Sequence, residues 1–280
     1  MDIGIIGMGL MGGSIALALK DKHRLFAYDA NRTSLDYAQS SGLIEQACFT
    51  LDSLVEKTKI FIVCLYPETV IRFIEENRRL FAPGSVLIEI SGIKANLVKA
   101  LSCHLDGSFD IVFTHPVAGS EKTGVENAKP DLFRNQNFVI TPLSENRSEH
   151  LELAKSLAED MGFDRISFLS PEEHDDIIAY TSQLTHVLSL ALMAANGDKY
   201  DTAAFIGDSF RDLTRIAMIN EKLWIELFLN NDRSLVEKID NLIAALLKYR
   251  DAIANHDEQG LAEMMRSAKA ARLAIEKGLS

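Results

Sequence analysis

The sequence predicts an α/β fold: a doubly wound parallel sheet over residues 1–169, followed by an all-α domain over residues 170–280. Three observations support this prediction. Short apolar runs alternate with helical segments along the first part of the chain, which is the pattern of parallel strands joined by helical crossovers. A glycine-rich turn separates the first such run from the first helix. After Ser170 no further strand pattern is found.

The composition indicates a reduced, soluble protein. Its 280 residues suggest roughly two domains. The formal net charge of -11 argues against nucleic acid or an anionic membrane as a partner. We expect neither a membrane-spanning segment nor a signal peptide. Cys48, Cys64 and Cys103 lie far apart without metal-ligand spacing, so we expect a cytoplasmic protein with no disulfide framework and no metal site.

The glycine-rich turn has the spacing of a dinucleotide-binding site. A strand at residues 3–6 leads into Gly7-Met8-Gly9-Leu10-Met11-Gly12, and a helix follows. The first glycine permits the turn, the second lets a pyrophosphate approach the backbone, and the third lets the helix pack on the sheet. The predicted cofactor contacts of the turn are Gly7, Gly9, Leu10, Met11 and Gly12.

An acidic residue completes this Rossmann-type pattern. Asp29 ends the second strand, 22 residues after Gly7. A carboxylate at this place accepts hydrogen bonds from the adenosine ribose and repels a 2′-phosphate, so NAD is expected rather than NADP. Arg32 weakens this exclusion, because an arginine can pair with such a phosphate.

Further strands are predicted at residues 60–65, 86–90, 109–114, 138–141 and 166–169. Parallel strands joined by right-handed crossovers end on one edge of the sheet, where such sheets bind ligands. The residues expected at this edge are Gly7, Asp29, Leu65, Ser91 and His115. His115 follows a buried strand directly and is therefore the central candidate for chemistry.

The helical half begins with a strong start signal at Ser170 and Pro171. The first long helix, expected over residues 171–196, is apolar on most sides, which predicts a buried helix. His186 lies in a polar stripe with Gln183 beside it. The pattern alone leaves open whether His186 is a hydrogen-bonded core residue or faces a cleft.

Two later segments have ordinary structural interpretations. Asp208, Arg211, Asp212 and Arg215 are spaced for ion pairs on an exposed helix face. The run around Trp224 is typical of a core. An apolar stripe over residues 239–247 predicts either packing within the chain or a subunit interface, and we expect a homodimer.

Several segments together resemble the prephenate/arogenate dehydrogenase family of tyrosine biosynthesis. The segments are His115-Pro116-Val117-Ala118-Gly119-Ser120-Glu121-Lys122-Thr123-Gly124, Phe210-Arg211-Asp212-Leu213-Thr214-Arg215-Ile216-Ala217, Ser182-Gln183-Leu184-Thr185-His186 and Glu89-Ile90-Ser91-Gly92-Ile93-Lys94. The resemblance implies an NAD-dependent oxidative decarboxylation of a small anionic cyclohexadienol, prephenate or arogenate, and prephenate is the expected substrate.

The resemblance also implies roles for single residues. His115 matches the catalytic histidine, Arg215 the arginine that binds a substrate carboxylate, and His186 a substrate-contacting histidine. Glu121 resembles an acid at the mouth of the cleft.

The chain departs from the family at two places. Gly92 stands where many relatives carry a serine, so Ser91 is the candidate for that role. Gln183 stands where many carry a histidine and is taken as a further substrate contact.

Two other classes of protein remain as alternatives. A β-hydroxyacid dehydrogenase has the same plan but uses a helical lysine as acid/base, and Lys199 is poorly placed for this after Gly197. A nucleotide sensor would keep the dinucleotide site without catalysis.

Overall fold

A computed structural model of the chain describes residues 1–105, 107–120, 122–195 and 201–279. The described residues form two compact units, Met1–Asp232 and Arg233–Ser280. The sheet and the first ten helices lie in the first unit, and the second unit is helical. The boundary near Leu169, where strands give way to helices alone, stays a prediction.

The first unit is built on one eight-stranded sheet with the order β3-β2-β1-β4-β5-β6-β7-β8. The strands are β1 Asp2–Ile6, β2 Arg24–Tyr28, β3 Gln46–Cys48, β4 Ile60–Val63, β5 Val86–Glu89, β6 Asp110–Pro116, β7 Asn137–Thr141 and β8 Arg165–Phe168. The sequence patterns missed β3, which is only three residues long.

The prediction of a parallel sheet is confirmed except at one pair. β6 and β7 run antiparallel, with His115 opposite Val139, whereas every other neighbouring pair is parallel. The segment between β6 and β7 contains no α-helix among its described residues, and a parallel return needs a crossover, usually helical.

The helices are α1 Leu10–Leu19, α2 Arg32–Ser40, α3 Leu51–Val55, α4 Pro67–Asn77, α5 Ala95–Leu101, α6 Ser148–Asp160, α7 Pro171–Ile178, α8 Leu184–Ala194, α9 Asp208–Thr214, α10 Glu221–Leu229, α11 Asp232–Ala254 and α12 Glu258–Leu279. A π-helical turn, Ala179–Gln183, joins α7 to α8.

Alternate residues of the central strands enter two separate apolar clusters. Ile5 and Ile62 belong to one cluster with residues of α1 and α6, whereas Ile6 and Phe61 belong to another with residues of α4 and α5. Successive side chains of a strand point to opposite faces, so helices cover both faces of the sheet. This is the doubly wound arrangement that the sequence predicts.

The expected long helix differs from the prediction in two ways. The π-helical turn interrupts it, and much of it is exposed, including Ile177 and Met193, so the prediction of a helix buried all round is wrong. Pro171–Ala194 also has the length and apolar composition of a membrane span, against expectation. The helix meets this criterion by length and composition only, and a single helix of this kind is weak evidence for a membrane.

The second unit leaves apolar side chains exposed. Ile243, Leu246 and Leu247, which belong to the apolar stripe of α11, are each more than two-fifths exposed. An apolar stripe left uncovered in this way favours the interface interpretation over packing within the chain.

Candidate active site

The glycine turn lies at the carboxyl edge of the sheet, and glycine is suited to its three positions for different structural reasons. A Cβ on Gly7, which has φ 98°, would meet the Cys64 carbonyl, and one on Gly12 would overlap the carbonyl of Gly7. A Cβ on Gly9 would meet no protein atom within 4 Å. The protein itself therefore requires the first and third glycines, whereas the second leaves open a surface that a pyrophosphate can approach.

Asp29 is fixed beside this turn. Its Oδ2 accepts a hydrogen bond from the Met8 N–H at 2.6 Å, and its Oδ1 accepts one from the Asn31 N–H at 2.7 Å. The carboxylate thus joins the end of β2 to the turn after β1, where an adenosine ribose would lie.

The other predicted cofactor residues surround the same edge. Arg32 begins α2, and its guanidinium lies over the Phe49 ring, 5.2 Å from the ring centroid. A Leu65 methyl group lies 3.0 Å from the Cβ position of Gly7, while Leu10 and Met11 open α1 and are partly buried. The residues present therefore fit a dinucleotide.

His115 lies near the carboxyl end of β6, and its two ring nitrogens have different surroundings. Nδ1 lies 2.9 Å from Nε2 of His174. Nε2 lies 3.5 Å from the position that a Cβ on Gly92 would occupy. One nitrogen therefore faces the interior of the protein, while the other faces a residue without a side chain.

A carboxylate fixes the direction of the hydrogen bonds between the two histidines. Nδ1 of His174 lies 2.7 Å from Oδ1 of Asp175. Because a carboxylate only accepts hydrogen bonds, His174 Nδ1–H donates and its Nε2 must accept. Nδ1–H of His115 therefore donates to His174, and Nε2 of His115 carries the free lone pair.

Asp175 is itself held by the start of α5. Its Oδ1 accepts the Lys94 N–H and its Oδ2 the Ala95 N–H, each at 2.8 Å. A carboxylate with two such donors is well stabilised as an anion even though Asp175 is buried. We define His115, His174 and Asp175 as the histidine relay.

The surroundings of the relay favour neutral imidazoles. Burial, then the neighbouring His174 and the charge of Lys94, hold the pKa of His115 well below its usual range. Burial also lowers the pKa of His174, although Asp175 opposes this effect. Both rings are therefore neutral near neutral pH, as a proton-accepting histidine must be.

His186 and Arg215 form a second group of side chains. The His186 ring packs against Trp224 with 3.6 Å between the ring centroids and a tilt of 31°, and its Nδ1 lies 2.9 Å from the Ser182 carbonyl. Burial lowers the pKa of His186, the Ser182 carbonyl raises it, and the charge of the exposed Arg215 lowers it. As expected, Trp224 packs against an apolar core cluster, but it is only partly buried, and its ring also covers the candidate site residue His186.

Helix α10 connects the two groups of side chains. Leu227 reaches within 3.3 Å of the Cβ position of Gly92, beside His115, and Trp224 packs against His186. Residues three apart on a helix are neighbours, so α10 brings both groups to one region.

The remaining predicted contacts have different surroundings. Gln183 is buried, donating to the Leu227 carbonyl at 3.0 Å and accepting from Asn231 at 2.8 Å, so protein groups occupy both ends of its amide. Ser91 is buried, and its hydroxyl donates to the Ile93 carbonyl at 3.3 Å. Glu121 and Lys199 lie outside the described residues.

The sequence patterns missed His174, Asp175 and Lys94. His174 and Asp175 follow a proline and two acids in the first turn of α7, a composition typical of a solvated helix start. The only local signal was that this turn of a capped helix carries a histidine next to an aspartate.

The glycine turn yields a test of the cofactor site. Gly9→Ala should leave the melting temperature unchanged but weaken NAD binding by at least about tenfold, because the added methyl meets only the cofactor. Gly12→Ala should lower both the melting temperature and the affinity for NAD, because its methyl group overlaps the Gly7 carbonyl of the chain itself. Calorimetry with and without NAD measures both effects. Unchanged NAD affinity in Gly9→Ala would contradict the assignment.

The chain is similar to known proteins over nearly its whole length. Residues 15–166 match the family model described as prephenate dehydrogenase, nucleotide-binding domain, and residues 170–267 match prephenate dehydrogenase, dimerization domain. Cyclohexadienyl dehydrogenase of Zymomonas mobilis is 28% identical over 98% of this chain and 96% of its own. Prephenate dehydrogenase of Bacillus subtilis is 28% identical over 95% of this chain and 73% of its own.

Solved structures show the same likeness. Prephenate dehydrogenase from A. aeolicus, in complex with hydroxyphenyl propionate and NAD+, superposes with a TM-score of 0.89 at 26% identity, covering 98% of both chains. Synechocystis arogenate dehydrogenase shares the fold, with a TM-score of 0.82 at 24% identity over 98% of this chain and 100% of its own. With family models matching both halves of the sequence, the chain belongs to the prephenate dehydrogenase family and is an NAD-dependent oxidoreductase.

Proposed function

We propose that this chain oxidises prephenate with NAD and releases carbon dioxide, giving 4-hydroxyphenylpyruvate, with His115 as the general base. The observation that carries the assignment of the base is the histidine relay, which leaves a lone pair on His115 Nε2 at the edge of the sheet that carries the glycine turn. Family membership supports the reaction.

The ring carbon that is oxidised bears a hydroxyl, which must lose its proton as the carbonyl forms. Nε2 of His115 accepts that proton, and the resulting imidazolium is stabilised by its Nδ1–H bond to His174, which Asp175 holds in place. Bound NAD supplies the acceptor for the hydride. Loss of carbon dioxide makes the ring aromatic and therefore draws the reaction to completion.

The second group of side chains suits an anionic substrate. The planar guanidinium of Arg215 can bind a carboxylate through two hydrogen bonds. His186 donates Nδ1–H to the Ser182 carbonyl, so its Nε2 is free to contact the substrate.

In the proposal, the other predicted substrate contacts have supporting roles. Gln183 supports α10 through Leu227 and Asn231, and Ser91 shapes the turn beside His115. The role of Glu121 at the cleft mouth stays a prediction.

Arogenate is the second candidate substrate. It differs from prephenate in carrying an amino group in place of the side-chain keto group, and a relative in Zymomonas mobilis is named for the wider cyclohexadienyl class. Comparing kcat/KM for the two compounds decides which is preferred.

The assembly proposed for the chain is a cytoplasmic homodimer. The matching dimerization domain and the exposed apolar stripe of α11 support it. The proposed division is into a cofactor domain, residues 1–169, and a helical domain, residues 170–280; it is supported by the two family models, which match residues 15–166 and 170–267.

His115→Asn should lower kcat by about 10²- to 10⁴-fold while the Kd for NAD is unchanged, because only the proton acceptor is removed. Stopped-flow absorbance at the reduced nicotinamide band measures the rate. His256→Asn, at an exposed turn whose φ of 52° asparagine tolerates, is the matched control. Near-normal turnover in His115→Asn would remove His115 from the mechanism.

Arg215→Ala should raise the KM for prephenate by about 10- to 100-fold, since a hydrogen bond to a charged group contributes about 1.5–3 kcal/mol. The KM for NAD should not change. Arg211→Ala removes an exposed arginine that pairs with Asp208 at 3.0 Å and serves as the control. Equal KM values for the two variants would exclude a substrate contact by Arg215.

Asp29→Ala should reduce the preference for NAD over NADP, because the charge that repels a 2′-phosphate is gone. Adding Arg32→Ala should remove the gained NADP activity, because the phosphate then lacks its cationic partner. The ratio of kcat/KM values for the two cofactors reports both effects. An unaltered ratio in Asp29→Ala argues against a ribose contact.

A further inference from the structure

A fully buried ion pair lies beneath the histidine relay. Lys94 and Glu89 are each 0% exposed, and Nζ of Lys94 lies 2.7 Å from Oε2 of Glu89. The ammonium also donates to the Ser91 carbonyl at 2.7 Å. Burying two charges has a large desolvation cost, and apolar residues of similar size often stabilise a fold as well or better. Stability is therefore a weak explanation for this pair.

The pair shapes the turn on the Nε2 side of His115. The second carboxylate oxygen of Glu89 accepts the Ser91 N–H, and Thr114 Oγ1 donates to the Glu89 carbonyl at 2.8 Å. Lys94 and Glu89 thus close the turn of Ser91 and Gly92 against β6. This closure puts Gly92 next to the ring nitrogen with the free lone pair.

Lys94 also holds the Nδ1 side of His115. Its backbone N–H donates to the same Asp175 oxygen that lies nearest to His174. A single residue therefore supports both ends of the relay: the turn through its side chain, and the carboxylate through its backbone.

The two charges nearest the relay act in opposite directions. The ammonium of Lys94 lowers the pKa of His115 and of His174, whereas Asp175 and, more weakly, Glu89 raise that of His174. The charged group next to Lys94 on the neighbouring strand is Glu89 on β5, and the residues that face His115 from other elements are Val139 on β7 and, across Gly92, Leu227 on α10. Glu226 lies one residue before Leu227 on α10. Glu89 lies against Lys94, and Glu226 Oε2 accepts the Glu68 N–H at 3.1 Å.

We infer that Lys94 is a positioning residue for His115, acting as a buried positive charge that balances Asp175 across the histidine relay. The inference rests on the proposed function only for its catalytic consequence. With Lys94 in place, His115 stays unprotonated and ready to accept a proton at mildly acidic pH. Without the ammonium, the negative charges of Asp175 and Glu89 would act on the relay unopposed, and His115 would hold a proton more readily.

Two variants remove the charge in different ways. Lys94→Gln keeps a hydrogen-bond donor towards Glu89 and Ser91, whereas the double variant Lys94→Met with Glu89→Gln replaces the ion pair by two neutral side chains of similar size. Lys99→Met, at an exposed lysine on the same helix, is the control. The melting temperature identifies which variants fold.

The direct readout is the titration of the His115 ring in the full chain, followed by NMR of ¹⁵N-labelled histidine and assigned by comparison with His115→Asn. In Lys94→Gln, which leaves the Glu89 carboxylate in place, the pKa of His115 should rise by about one unit, a typical effect of a nearby charge. The double variant, which removes both charges, should show a smaller rise. The acidic limb of kcat/KM should move up by the same amount as the pKa in each variant. An unchanged His115 pKa in folded Lys94→Gln, or an equal rise in both variants, would overturn the inference, even if turnover fell equally at every pH.

This readout separates the inference from the proposed function. The NMR titration requires no turnover, so it decides the role of Lys94 even if the wild-type chain fails to oxidise prephenate. Such a failure would overturn the proposed function alone.

Discussion

The hydrogen bond from Nδ1–H of His115 to Nε2 of His174 is the interaction on which the candidate active site depends. It determines which nitrogen of His115 carries the lone pair, and therefore which side of the ring can accept a proton. Its direction follows from Asp175, which accepts from His174 and is held by two backbone N–H groups at the start of α5. If that bond were reversed, the free nitrogen would be a donor and the ring could not act as a base.

The fold brings these groups together from distant parts of the sequence. β6 carries His115 to the carboxyl edge of the sheet, beside the turn that follows β5. The capping box of Ser170 and Glu173 starts α7, so that His174 and Asp175 fall in its first two turns. Helix α10 then covers both groups of side chains, with Leu227 near Gly92 and Trp224 against His186. The site is thus a product of the sheet edge and of the helices that follow the sheet.

Much of this arrangement could be predicted from local sequence. The parts that could not be predicted share one physical cause. Gly7, Gly12 and Asp29 belong to one strand–turn–helix–strand unit, β1 to β2, so their spacing alone indicates the cofactor turn. His115 was found because the end of a parallel strand has a fixed place in the fold. His174, Asp175 and Lys94 act through partners that are distant in the chain, and such partners leave no periodic signal. The antiparallel β7 and the π-helical turn escaped for the same reason, since tertiary contacts decide them.

The relay also fixes the polarity of its two histidines. Each neutral imidazole has one donating and one accepting nitrogen, so the tautomer of His174 determines the tautomer of His115. Asp175 supplies the charge that stabilises His115 when the ring accepts a proton. The account is tested most directly by the distance from His115 Nε2 to the phenolic oxygen of bound hydroxyphenyl propionate, in a crystal structure of this chain with NAD. We predict a hydrogen bond of about 2.6–3.2 Å; a phenolic oxygen bound elsewhere, with Nε2 facing away from the nicotinamide, would contradict it.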